Sequence, residues 1–142
     1  MKILLLLFVL AGFVAGTTRF ESIRVNARVI LRCKSPRVPT ARVFLMESDF
    51  SNYPFDEDDT FDFGIYNFGE VPEKVLYLTG EEFEISGLEP YIYVSHSCTS
   101  ESNTMKSFAV RLMSSMYLSR VFTVTIDLDE ETADVVSRTL YH

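Results

Sequence analysis

The side chains able to do chemistry in this chain are few and widely spaced. Cys33 and Cys98 are its only cysteines, and His96 and His142 its only histidines. Two distant cysteines and one nearby imidazole fall short of the four ligands that a structural zinc takes. A redox pair would want them close together, as in Cys-x-x-Cys. In an oxidising compartment the pair reads as one intramolecular disulfide, a staple rather than a reactive group. His96 lies two residues before Cys98. A ligand or a pH switch is one role for it. With no second imidazole or thiolate beside it, it reads as a hydrogen-bonded structural histidine packed near the disulfide.

Two charge patterns remain. Asp56-Glu57-Asp58-Asp59, with Asp62, is oxygen-rich enough to suggest Ca²⁺, but lacks the Asp-x-Asp-x-Asp-Gly spacing of an EF-hand loop. A solvated acidic loop is the blander reading and the one adopted, so no metal or other cofactor is expected. Arg24, Arg28 and Arg32 lie on one face of a stretch whose other face is apolar. Either they pair with acidic side chains on neighbouring strands, or they form an exposed basic stripe for an acidic partner or a lipid head group. Pairing is favoured, because surface charges in a small sandwich seldom lie far from opposite ones.

The elements that must hold these groups are strands. From Glu21 to Cys33 one face carries Ile23, Val25, Ala27, Val29, Leu31 and Cys33, and the other carries the arginines. That period of two marks a long half-buried strand. Pro36 and Pro39 break it, and Ala41 to Met46 restarts as a second. Further strands are expected over Lys74–Thr79, Glu82–Ser86, Tyr91–Cys98, Lys106–Leu112 and Arg120–Leu128, with a weaker one over Phe63–Phe68. No window offers an amphipathic helix of three turns, beyond a single turn around Met113–Tyr117. Seven or eight short strands predict one antiparallel all-β sandwich or barrel. Cys33 and Cys98 then end two strands on their apolar faces, so the bridge lies in the core.

The N-terminus has the pattern of a secretory signal peptide over residues 1–16: Met1-Lys2, the apolar run Ile3–Leu10, then small residues to Gly16. Its apolar stretch is short of the about 20 residues that span a bilayer, and no later segment supplies a stop-transfer helix. The expected product is a secreted domain, 17–142, with no transmembrane anchor. The chain carries 20 acidic and 13 basic residues, a formal net charge of -7. That balance argues against nucleic acid as a partner. The charge is uneven: residues 17–46 hold seven basic residues and one acidic, residues 47–101 fourteen acidic and one basic. Asn26, Asn52, Asn67 and Asn103 all lack the third residue of a glycosylation sequon.

Several segments together resemble the nematode transthyretin-like family of secreted proteins. They are Val29-Ile-Leu-Arg-Cys33-Lys-Ser-Pro36 followed by Ala41–Leu45, the acidic Asp56–Asp59, Gly80-Glu-Glu-Phe-Glu-Ile-Ser-Gly87, and His96-Ser-Cys98. Met113-Ser-Ser-Met-Tyr117 and the closing Phe122–Leu128 complete the series. Two positions depart from the family pattern: Asn26-Ala27 stand where a glycine is usual, and Met113 replaces a proline. The resemblance implies a transthyretin-like β-sandwich with a Cys33–Cys98 bridge. Transthyretin-fold relatives include hormone carriers and 5-hydroxyisourate hydrolases. The hydrolases use clustered histidines with an arginine and a Tyr-Arg-Gly-Ser tail, whereas this chain ends Arg138-Thr-Leu-Tyr-His142. The acid/base machinery of such a hydrolase is missing. The expectation is a secreted, non-enzymatic binding or adaptor protein acting on an extracellular protein or cell-surface component, with peripheral membrane contact open to it. Carriage of a small apolar ligand through an oligomer interface is the alternative. Arg24, Arg28, Arg32 and His96 are the candidate contact residues.

Overall fold

The structure is a computed structural model that describes residues 21–34, 39–48, 58–69, 71–83, 86–101 and 104–140. Eight strands follow one another along the chain: β1 (Ile23–Arg32), β2 (Thr40–Glu47), β3 (Asp59–Asn67), β4 (Glu73–Glu82), β5 (Pro90–His96), β6 (Lys106–Arg111), β7 (Arg120–Asp127) and β8 (Thr132–Thr139). They form two four-stranded sheets, ordered β4-β1-β7-β8 and β3-β2-β5-β6. Of the all-β sandwich or barrel expected from the periodicity, the fold is the sandwich, as the family resemblance implied. The signal-peptide reading of 1–16, the Pro36 break, Asp56 and His142 lie outside the described residues.

The alternation in sequence maps directly onto the two faces of each sheet. Val25, Ala27, Val29 and Leu31 of β1 are buried with Leu76 and Leu78 of β4 and Phe122, Val124 and Ile126 of β7. Facing them across the sandwich are Val43 and Leu45 of β2 and Ile92 and Val94 of β5. Fully burying side chains of this size is worth about 1.5–3 kcal/mol each, and the single continuous core is what joins the sheets.

Three expectations need correcting. Glu82, where a further strand was expected to begin, is instead the last residue of β4, which runs through Gly80 without a turn, and Glu84 and Ile85 of that expected strand lie outside the described residues. A Cβ at Gly80 would meet the Phe61 ring at 2.4 Å, so this glycine is a close-approach position rather than a punctuation mark. Phe61 reaches it because the β2–β3 register shifts between Leu45 and Met46, leaving one extra residue on β3. Second, the eighth strand is β8, whose side chains are mostly exposed and so lack an apolar face legible as a strand. Third, the sandwich is not wholly antiparallel: β1 and β7, distant in sequence, pair in parallel from Val25↔Arg120 to Arg32↔Asp127. Around Met113–Tyr117 there is no helix, and Met116 instead bridges Leu88.

Candidate functional site

Cys33 and Cys98 are bridged, with their Cα atoms 6.0 Å apart, at the ends of β1 and β5 as expected. The bridge crosses from one sheet to the other, and both cysteines are buried. The turn between β7 and β8 folds over it. Asp127 Oδ1 accepts from the amides of Asp129 and Glu130, which tightens the turn. Asp129 Oδ2 in turn accepts from the Lys34 amide at 2.7 Å, and its Oδ1 lies 3.4 Å from Cys98 Sγ. Both sulfurs are consumed in the disulfide, so this group is no metal ligand set despite the nearby carboxylate.

His96 is fully buried beside this bridge. Its Nδ1 accepts the Cys98 amide hydrogen at 3.2 Å, so the proton of the neutral ring belongs on Nε2. Nε2 points toward Glu131 Oε1 at 3.4 Å, longer than an ordinary N–H···O bond and thus an electrostatic contact. Nε2 is a buried polar atom with no hydrogen-bond partner of proper geometry among the described residues. The ring packs edge-on to Phe108, centroids 5.9 Å apart. Burial pushes the imidazole pKa below its ordinary value, and the Glu131 carboxylate opposes that shift. The structural reading of His96 fits these contacts.

The acidic stretch is dispersed. Asp58 Oδ2 accepts from the Tyr91 hydroxyl at 2.6 Å, and burial together with this contact holds the phenol well above its usual pKa. Asp62 accepts the amides of Phe63 and, across the seam, Thr79. Among the described residues of the stretch, Asp59 joins other carboxylates, with ligand atoms of Glu47, Asp59 and Glu82 within 4.8 Å of one another. Neither Glu47 nor Glu82 belonged to the acidic run. Three like-charged carboxylates brought together by β2, β3 and β4 form an acidic cluster, which alone does not define a cation site.

The arginine stripe divides in two. Arg24 pairs with Glu81 at 3.2 Å and Arg32 with Glu73 at 2.9 Å, both cross-strand neighbours on β4. The Ser22 hydroxyl, ahead of Arg24, holds the Glu81 pKa below the ordinary carboxylate value. Arg28 sits opposite Tyr77 instead of an acid and has no ion-pair partner among the described residues. It lines an open groove of about 600 Å³ on the outer face of the β4-β1-β7-β8 sheet, together with Tyr77, Thr79, Val121, Thr123 and Arg138. Arg138, on β8, is likewise without an ion-pair partner among the described residues. Thr79 Oγ1 donates to Asn26 Oδ1 at 2.8 Å, and both residues line the same groove. His96 is buried between the sheets and is no part of it. Arg138 could not be found from the sequence, because the strand that carries it shows no apolar alternation.

No helix among the described residues is long and apolar enough to cross a membrane. No family model matches the chain, and no solved structure matches it. Among curated proteins, the chain is similar to Transthyretin-like protein 1 of Caenorhabditis elegans, 35% identical over 80 residues. The match takes in 56% of this chain and 49% of the relative, so the chain spans about half the length of the curated relative it matches. That similarity agrees with the transthyretin-like resemblance of the sequence motifs and with the observed sandwich.

Proposed function

We propose that this transthyretin-like chain is a non-enzymatic binding protein that works outside the cell and takes an anionic, partly apolar ligand in the groove between Arg28 and Arg138. The observation that carries the reading is the pair of guanidinium groups lining one groove, neither with an ion-pair partner among the described residues. Elsewhere on the same face, Arg24 and Arg32 are neutralised by Glu81 and Glu73, so the central pair stands out. Apolar walls from Tyr77 and Val121, with hydroxyls from Thr79 and Thr123, suit a body that is mostly carbon with one charged end. The overall charge of -7 repels a polyanion at long range and favours a small ligand with a single charged group. The disulfide and the leader-like N-terminus support an oxidising, extracellular setting.

Anilinonaphthalene sulfonate, a sulfonate on an aromatic body, is a direct probe. Its fluorescence titration onto the purified protein should saturate, and Arg28→Gln/Arg138→Gln should weaken binding about tenfold or more. Arg24→Gln/Arg32→Gln should leave the affinity unchanged. Equal affinity of wild type and the Arg28/Arg138 variant would sink the proposal.

A further inference from the structure

Arg28 on β1 and Arg138 on β8 flank β7 on the outer face of their sheet. Arg28 stands opposite Thr123 and Arg138 opposite Val121, so these two β7 residues are what separates them. Strand spacing and rise put the two Cα atoms about 12 Å apart, a gap that two arginine side chains can close on one group held over Val121 and Thr123.

None of the residues lining the groove is acidic. The carboxylates on this face, among the described residues, are Glu73 and Glu81 on β4, Asp127 on β7 and Asp134 on β8. Arg24 holds Glu81, Arg32 holds Glu73, and Asp127 Oδ1 accepts the amides of Asp129 and Glu130. Asp134 lies four residues along β8 from Arg138, about 13 Å between Cα atoms and beyond a Debye length at physiological salt. The face also has a direction. Beyond Arg28 it turns apolar: Tyr77 and Val136 are 74% and 63% exposed, and Ile30 stands opposite Val75. On the other side of the arginines lies the polar Arg24–Glu81 pair.

Resting on the reading of this groove as an anion site, we propose that the group it takes is a phosphate monoester, bound as the dianion, on a body that is mostly carbon. Two guanidinium groups without carboxylates call for two negative charges at one point. A carboxylate, a sulfonate or a phosphate diester brings one. A phosphate monoester carries about −1.5 to −2 at pH 7 and three strong acceptor oxygens. Arginine forks offer phosphate paired N–H donors, and the Thr123 hydroxyl opposite Arg28 is a further donor in the same groove. The carbon body then lies over Tyr77, Ile30 and Val136, away from the Arg24–Glu81 pair. A polyphosphate exceeds the charge that the pair neutralises and meets the repulsion of a chain of net charge -7.

Calorimetric titration of the full purified protein with naphthyl phosphate, naphthalene sulfonate and naphthoate tests the charge count, because the three share a ring system and differ in the anion. Naphthyl phosphate should bind about tenfold or more tighter than the other two at about pH 7.5. Arg28→Gln and Arg138→Gln should each cut that margin by about threefold or more. Both arginines are exposed, and circular dichroism and melting confirm that each variant is folded. Acidification to about pH 5.5, below the second phosphate pKa of about 6, should weaken naphthyl phosphate and leave the other two unchanged. The one histidine among the described residues, His96, is buried between the sheets, so on this face the ligand is the group that titrates.

Equal affinity for the three anions, each weakened in Arg28→Gln/Arg138→Gln, would leave the anion site standing and overturn the phosphate. No binding of any of the three would overturn both. Phosphate binding indifferent to the two arginines, or a phosphate preference undiminished by acid, would also overturn the proposal. Phosphatidylcholine vesicles containing phosphatidic acid, itself a phosphate monoester, separate the sources. Co-sedimentation lost in Arg28→Gln/Arg138→Gln would support a membrane-borne monoester, and naphthyl phosphate binding without co-sedimentation a soluble one.

Discussion

His96 Nε2 and Glu131 Oε1 stand 3.4 Å apart, one on the strand that leads to the disulfide and the other in the turn that folds over it. The two side chains come from different sheets, so their contact lies across the seam that Cys33–Cys98 also closes. Glu131 adopts φ of 53°, a left-handed backbone that non-glycine residues visit rarely. The arrangement trades backbone comfort for a carboxylate beside a buried imidazole.

Stability should fall as pH drops through and below 6.5, the ordinary imidazole value. Burial lowers the His96 pKa in the folded protein, so just below that value the unfolded chain takes up a proton that the folded one refuses. The loss accumulates down to the folded-state pKa and then levels off. Melting temperatures measured across this range should show the slope, and His96→Gln should remove it.

Glu131→Gln should widen that window. The carboxylate raises the His96 pKa against the effect of burial, so removing it lets the pKa drop further. An imidazole NMR titration reads this directly, since His142 is the only other histidine. Glu131→Gly should lower the His96 pKa as well while relieving the left-handed backbone, which separates the electrostatic effect from the conformational one.

Replacing both cysteines by serine should cost about 4 kcal/mol in the loop-entropy account, for cysteines 65 positions apart. Denaturant midpoints of the oxidised protein and of the double variant check the size. A loss near zero would mean that the β7–β8 turn alone holds the seam.

Gly80→Ala should destabilise by about 1–3 kcal/mol, because the new methyl meets Phe61 Cγ at 2.4 Å. Phe61→Ala, which removes Cγ and Cδ2, should recover part of that loss in the double variant, a coupling readable from chemical denaturation of the four proteins. Additive losses would place the cost in the backbone rather than in the ring.

Ser22→Ala should raise the Glu81 pKa, and so should Arg24→Gln, because the serine hydroxyl and the guanidinium both hold the carboxylate in its charged form. Both groups are exposed, so water screens the pair and neither change should shift the melting temperature appreciably. Carboxylate NMR titration of the two variants checks both shifts.

Much of this architecture was legible in the residues. The period of two over Glu21–Cys33 identified β1 and its buried face, and Phe122, Val124, Ile126 and Leu128 emerged as the inner face of the β7 segment. Two cysteines ending apolar faces pointed to the bridge. β8 escaped because an edge strand with a mostly exposed surface has no apolar stripe to reveal it. The strand ending at Thr79 was expected too short, because nothing in the sequence shows that Gly80 lies beneath the Phe61 ring inside a continuing strand.

Local alternation and side-chain type alone determined which residues turn inward, because burial of one face follows from the geometry of a single strand. Which residues become neighbours was decided only by tertiary structure. The register gave Arg24 and Arg32 acidic partners and set Arg28 opposite Tyr77. It also brought Arg138 to the same groove, and lined up Phe63, Phe44 and Tyr93 on the far face. Strand pairing joins residues far apart in the chain, and a shift of one position would turn each of these side chains to the other face.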